Sequence, residues 1–126
     1  LMGIAKAFKN ANSNSKIIAV EPSSSPILSE GIKGSHNVEG VGLGFIPKIY
    51  DSKLVDDVIT IEESIARQTS RDLALKEGIF CGTSSGMNVA AAIQISQKLG
   101  PKSRVVAIAC DAGLKYLSEG LFDKKN

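Results

Sequence analysis

Three short stretches of small and polar residues have the composition of ligand-binding turns. The sequence reads GVGLG over residues 40–44, GTSSG over residues 82–86 and CDAG over residues 110–113. Backbone amides at the start of a helix, together with serine hydroxyls, can hold an anion or the nitrogen of a heterocycle. Turns rich in glycine and serine are also ordinary connections between strands and helices, so the spacing alone leaves both interpretations open.

The composition argues against several other kinds of site. Cys81 and Cys110 stand far apart without a C-x-x-C motif, and His36 is the only histidine, so we expect no metal site. A formal net charge of +2 is too small to predict a nucleic-acid partner. No apolar run reaches the length that spans a membrane, so no membrane partner is expected. With so few cysteines, a reducing, cytoplasmic compartment is expected.

The elements that must position the three turns alternate between strands and helices. Apolar runs predict buried strands over residues 16–22, 57–61 and 104–109. Helical patterns are found over residues 1–8, 23–28, 62–77, 87–99 and 114–120. This order predicts an α/β fold with an open, mostly parallel sheet flanked by helices. Ligands bind beyond the carboxyl ends of the strands in such sheets, and each of the three turns follows or adjoins a predicted strand.

Four motifs occur in the order found in cysteine synthases. They are AVEP over residues 19–22, VEGVGLGFIP over 38–47, EGIFCGTSSG over 77–86 and GLKYLS over 113–118. On these motifs the chain resembles the family of cysteine synthase and cystathionine β-synthase along nearly its whole length. The resemblance implies a partial tryptophan-synthase-β-like fold, a pyridoxal 5′-phosphate cofactor, an amino-acid substrate and a homodimeric complete enzyme.

The resemblance gives Ser84 the role of hydrogen-bonding the pyridine nitrogen of the cofactor. An aspartate at this position would keep the nitrogen protonated and make the ring a strong electron sink. A neutral hydroxyl leaves the ring less electron-poor, which favours β-elimination. The alternative is that Ser84 simply caps the helix that follows.

The resemblance also places the other two turns at the site. Gly42 is expected beside the cofactor, and Gly40 and Gly44 beside the substrate, because glycine lets the backbone approach a ligand closely. Asp111 is expected near the cofactor ring, although relatives usually carry proline at the position of Cys110. The alternatives are a tight loop without ligand contact and, for Asp111, a cap of the next helix.

Other polar residues are expected to be structural. A single histidine in a loop, His36, is more often a structural residue than a general base. Tyr116 matches the tyrosine of the Y-L-S motif and is expected to pack or to form a hydrogen bond near the site. Lys124 and Lys125 are expected to form a solvated end.

The resemblance also implies that parts of the enzyme lie outside this chain. The Schiff-base lysine of the family belongs to an S-x-K motif near the start of the full enzyme, and no lysine of this chain has that context. The phosphate loop of the family reads G-T-G-G-T, which does not occur here. No catalytic residue is therefore assigned. Residues 1–126 are expected to be the carboxyl-terminal part of the large pyridoxal-phosphate domain, inactive alone.

The expected activity of the whole enzyme is synthesis of L-cysteine from O-acetylserine and sulfide. Chemistry like that of cystathionine β-synthase is the alternative within the class, because both enzymes share the G-x-S-S-G turn. An interpretation from another class is a non-catalytic α/β module that binds a phosphate-bearing ligand or a partner protein.

Overall fold

The computed structural model describes residues 1–11 and 14–123 of the chain. The solvated end predicted at Lys124 and Lys125 lies outside the described residues. The elements are α1 (Met2–Ala11), β1 (Ile18–Pro22), β2 (Asp57–Ile61), α2 (Glu63–Glu77) and α3 (Thr83–Leu99), with single 3-10 turns at Ser52–Leu54 and Gly113–Tyr116. In this part of the chain, no helix is both long and apolar enough to cross a membrane.

The two strands form a parallel pair, as predicted. Ile18 lies opposite Asp57, and the register continues to Pro22 opposite Ile61. Parallel strands need a long crossover between them. Here the crossover is the segment over residues 23–56, which contains the glycine-bearing loop and no α-helix. The predicted loop therefore occupies the place that a helix fills in most βαβ units.

The main hydrophobic core lies between the sheet and the helices α2 and α3. Ile61, Ala66 and Met87 are fully buried there, and Val38 of the long loop packs against them. The two helices approach each other closely at Gly86. A Cβ atom on Gly86 would lie 2.2 Å from the carbonyl oxygen of Ala66, so no larger residue fits between the helices without a shift.

A second, smaller cluster fixes α1 beside the sheet. Met2 and Ala5 of α1 are buried against Ile17. Lys9 forms an ion pair with Asp56 at 2.7 Å, and the same carboxylate accepts a hydrogen bond from the backbone N–H of Ile17 at 2.7 Å. The hydrogen bond from Lys9 and the one from Ile17 lower the pKa of Asp56. The contacts of Asp56 hold the end of α1 at the amino-terminal end of the two strands. The start of α1 borders the same cleft as Val20 and Glu21, near the carboxyl end of β1.

The prediction of a strand over residues 104–109 is wrong. The segment belongs to no strand, and Val106 is 78% exposed. Its apolar residues have the pattern of a buried strand, but no neighbouring strand in the described part of the chain pairs with its backbone. On α3, the predicted apolar stripe is buried at Met87 and Ala91 but not at Leu99, which is 62% exposed.

The total exposed surface is large for a chain of this size. The accessible area is 8225 Å², whereas a compact monomer of 13.3 kDa exposes about 6,500 Å². The exposed large hydrophobic side chains of α3 and the segment after it include Ile93, Leu99, Val106, Ile108 and Leu114. The fold therefore leaves many large apolar side chains uncovered.

Two short predicted helices are also wrong, and α3 begins earlier than predicted. Residues 23–28 form turns, because the buried carboxylate of Glu21 accepts hydrogen bonds from the backbone N–H groups of Leu28 and Ser29 at 2.7 and 3.0 Å. The helix predicted over residues 114–120 is only a 3-10 turn at Gly113–Tyr116. Helix α3 starts at Thr83, inside the GTSSG turn.

Replacement of Gly86 by alanine tests the close approach of α2 and α3. The added methyl group would collide with backbone of α2, so Gly86→Ala should lower the free energy of unfolding by about 1–3 kcal/mol. Gly3→Ala is the matched control, because open space surrounds Gly3 in α1 and alanine is the better helix former. Urea unfolding followed by circular dichroism measures both. Equal stability of the two variants would contradict the packing argument.

Candidate functional site

The GTSSG turn and the CDAG turn lie side by side. Cys81 and Ala112 form an isolated antiparallel bridge. The backbone N–H of Gly82 donates to the carbonyl oxygen of Asp111 at 3.3 Å, and that of Gly113 donates to the carbonyl oxygen of Phe80 at 3.0 Å. The structure thus joins two of the three turns singled out in the sequence, at the amino-terminal end of α3.

Ser84 and Ser85 occupy this turn in different ways. Ser85 is fully buried, and its hydroxyl accepts a hydrogen bond from the backbone N–H of Cys110 at 2.9 Å. Ser84 is 6% exposed, and its hydroxyl has no hydrogen-bond partner among the described residues. Among the described residues, Asp111 Oδ1 is the only side-chain oxygen that is both inaccessible to solvent and without a hydrogen-bond partner. The Ser84 hydroxyl has no partner, so it must be accessible to solvent. Ser84 therefore offers a free hydroxyl on a largely buried side chain.

Ser84 is not the cap of α3. The N-cap residue of α3 is Gly82, which makes no side-chain cap. Its carbonyl oxygen accepts the backbone N–H groups of Ser85 and Gly86 at 3.1 and 3.2 Å. The hydroxyl of Ser84 is accordingly available to a ligand at the positive end of the helix.

Asp111 is held by Tyr116. The Tyr116 hydroxyl donates to Asp111 Oδ2 at 2.6 Å, and the tyrosine side chain is buried. Burial, reinforced by the bond to Asp111, raises the pKa of Tyr116 well above its usual value, so the phenol remains a donor. Asp111 does not cap the following turn, whose N-cap is Ala112 without a side-chain bond.

The glycine loop is fixed by His36. Gly40, Gly42 and Gly44 all have positive φ angles, of 75°, 55° and 75°, which other residues rarely adopt. The Nδ1 atom of His36 accepts the backbone N–H of Val38 at 3.3 Å, so the proton is on Nε2, which donates to the carbonyl oxygen of Gly42 at 3.0 Å. His36 therefore has the structural role that was expected of it.

A cleft of about 410 Å³ lies between the start of α1, the end of β1 and the glycine loop. Its lining includes Gly3, Glu21, Gly40 and Gly42. Sequence reasoning missed Glu21, a buried residue that shapes this wall by binding the backbone over residues 28–29. The sequence feature that could have identified Glu21 is a single acidic residue near the end of an apolar strand. Among the residues that the structure describes, no group of three or more acidic, histidine or cysteine side chains is arranged to hold a metal.

The predicted site residues thus form two groups. Ser84 and Asp111 lie at the start of α3, whereas Gly40 and Gly42 line the cleft beside α1. Gly44 does not line the cleft. The side chain of Lys33 packs against it, at the place where a Cβ atom would lie. The ion pair between Lys115 and Glu39 joins the Gly113–Tyr116 turn to the glycine loop and so connects the two groups.

Comparison with known proteins gives a consistent result. A family model described as pyridoxal-phosphate dependent enzyme matches residues 1–111. Cysteine synthase of Staphylococcus aureus is 39% identical over 122 residues, which cover 97% of this chain and 39% of that protein.

Solved structures agree with the sequence comparison. A cysteine synthase from Entamoeba histolytica superimposes with a TM-score of 0.90 at 36% identity, covering 98% of this chain and 37% of that one. An O-acetylserine dependent cystathionine β-synthase from Helicobacter pylori gives a TM-score of 0.89 at 36% identity, covering 96% and 39%. The chain thus spans about two fifths of the length of these relatives.

Replacement of His36 tests how the glycine loop is held. His36→Ala removes the partners of the Gly42 carbonyl and of the Val38 N–H, so chymotrypsin should cleave at Phe45 about fivefold faster. Asn37→Ala is the matched control, because the hydrogen bond that Asn37 makes to Glu63 comes from its backbone and is kept. Equal cleavage rates in the two variants would show that His36 does not fix the loop.

Proposed function

Because the chain belongs to the pyridoxal-phosphate dependent enzyme family, we propose that it forms one wall of the cofactor site of a β-replacement enzyme. The observation that carries the proposal is the Ser84 hydroxyl. It lies on a buried side chain at the start of α3 and has no partner within the described chain. A hydroxyl that solvent reaches, on a side chain otherwise held in place by its surroundings, is available to bind a ligand that enters from the solvent side.

The residues present fit the cofactor. Pyridoxal phosphate, when bound, supplies an electron-accepting ring that stabilises negative charge on the amino-acid substrate. Ser84 would donate a hydrogen bond to the ring nitrogen while bringing no charge to it. Gly42 lines the cleft and would bring the loop backbone close to the cofactor. A Cβ atom at this position would collide with His36, which holds the loop, so a larger residue would disturb this wall. Asp111 would belong to the same site through its contact with the GTSSG turn.

The proposed reaction of the complete protein is synthesis of L-cysteine from O-acetylserine and sulfide. The similarity to cysteine synthases supports this choice. Gly40, in the wall of the cleft, and Gly44 are proposed to lie near the amino-acid substrate. The similarity to an O-acetylserine dependent cystathionine β-synthase supports a second candidate, in which a thiol amino acid replaces sulfide.

Residues 1–126 are proposed to form the carboxyl-terminal part of the large cofactor-binding domain. The exposed apolar side chains, such as those of Leu99 and Val106, support this, because a larger domain would bury them. The chain alone, without the Schiff-base lysine and phosphate loop, is proposed to be inactive. The complete protein is proposed to be a cytoplasmic homodimer without a nucleic-acid partner, and the free thiols of Cys81 and Cys110 are consistent with a reducing compartment.

Alanine at Ser84 tests the proposed contact with the cofactor. In the protein expressed from the complete reading frame, Ser84→Ala should bind nearly the normal amount of pyridoxal phosphate but turn over substrate about tenfold more slowly or worse. Its unfolding free energy should change little, because no hydrogen bond within the described chain is lost.

Ser85→Ala is the matched control in the same turn. It removes the acceptor of the Cys110 N–H and should lower the unfolding free energy by about 1–3 kcal/mol. Cofactor absorbance, steady-state kinetics and urea unfolding measure the contrast. An unchanged rate in Ser84→Ala would rule out the assignment.

A substrate panel on the complete protein tests the reaction. O-acetylserine, O-phosphoserine and serine are each combined with sulfide or homocysteine, and amino-acid products are quantified by mass spectrometry. Cysteine from O-acetylserine and sulfide is the expected main product. Cystathionine as main product would favour the second candidate. Failure to bind pyridoxal phosphate would leave a non-catalytic module as the better interpretation.

A further inference from the structure

Both oxygen atoms of the Asp111 carboxyl group lie against groups of the protein. Its Oδ2 atom accepts the hydrogen bond from Tyr116, and its Oδ1 atom is sealed from solvent without a hydrogen-bond partner. A Cβ atom on Gly82 would lie 2.6 Å from Oδ1, so this oxygen faces the backbone of the GTSSG turn. One oxygen of the carboxyl group therefore packs against the turn, and Tyr116 binds the other.

The ring of Tyr116 also packs against Gly82. A Cβ atom on Gly82 would lie 2.2 Å from Cε2 of the tyrosine ring, and the ring is 2% exposed. The backbone of Asp111 also accepts the N–H of Gly82 at 3.3 Å. Three contacts from residues 111 and 116 thus converge on Gly82, two positions before Ser84 in the first turn of α3.

We propose that Asp111 and Tyr116 are a pair of positioning residues that fix the first turn of α3 and thereby set where Ser84 presents its hydroxyl. This inference rests on the proposed cofactor contact of Ser84. Neither Asp111 nor Tyr116 touches the cofactor; both act through Gly82.

The pair has the properties that a rigid support needs. A hydrogen bond of 2.6 Å between two oxygen atoms is at the short, strong end of the range. Tyr116 makes the one side-chain hydrogen bond that Asp111 has within the described residues, so loss of the phenol hydroxyl would leave the carboxyl group held by packing alone. A displacement of about 1 Å at a ligand-binding group is enough to cost two orders of magnitude in rate.

Variants of the complete, cofactor-loaded protein test the pair. Tyr116→Phe keeps the ring on Gly82 but removes the hydroxyl, Asp111→Ala removes the carboxyl group, and Asp111→Asn keeps an oxygen that accepts from Tyr116. The readouts are the visible circular dichroism of bound pyridoxal phosphate, which reports ring orientation, the dissociation constant of the cofactor, and kcat separately from KM.

Tyr116→Phe and Asp111→Ala should each change the cofactor dichroism and raise the dissociation constant about tenfold. The double variant Tyr116→Phe/Asp111→Ala should be no worse than either, because the two residues act as one unit. Asp111→Asn should be affected least. If Tyr116→Phe does not fold, the comparison of Asp111→Ala with Asp111→Asn carries the test.

The inference is overturned if the variants lower the melting temperature yet leave dichroism and cofactor affinity within twofold of the unaltered protein. That result, with a clear effect of Ser84→Ala, would leave the proposed function intact. An unaltered protein that binds no pyridoxal phosphate would overturn both.

Discussion

The start of α3 is packed so tightly on both sides that only glycine fits at either end of the GTSSG turn. On one side, Gly86 touches the backbone of α2, and on the other, Gly82 touches the Tyr116 ring and Asp111. This constraint fixes the direction in which α3 leaves the turn. The packing of α3 against α2 and the position of Ser84 both depend on this turn, so stability and site geometry are coupled at this point.

The sequence predicted the elements whose signals are local. β1, β2, α2 and all but the first turn of α3 appear where their apolar patterns indicated, because a strand pair and two amphipathic helices bury those residues against each other. The segment over residues 104–109 has an equally clear pattern but forms no strand. A strand needs a neighbour to complete its hydrogen bonds, and sequence patterns do not reveal whether one is present.

The candidate site was predictable in part. Glycine and serine spacing identified the turns, and the order of motifs identified the family. The partners of individual side chains were not predictable, because they come from residues distant in the sequence. Glu21 binding the backbone over residues 28–29 and Lys115 binding Glu39 both depend on the folded crossover. Ser84 and Gly42 remain predictions as cofactor contacts, and Asp111 as a member of the site.

Ser84 and Ser85 show why residue type alone does not decide a role. They are adjacent and chemically identical, yet only the Ser85 hydroxyl accepts the hydrogen bond from the Cys110 N–H. This bond ties the segment before Asp111 to α3. Successive residues of a helix point about 100° apart, so the hydroxyl of Ser85 reaches the Cys110 N–H and that of Ser84 does not. The fixed serine keeps the turn in place, and that rigidity gives the free hydroxyl of its neighbour a defined direction. A site of this kind needs both serines, one bound within the protein and one left for the ligand.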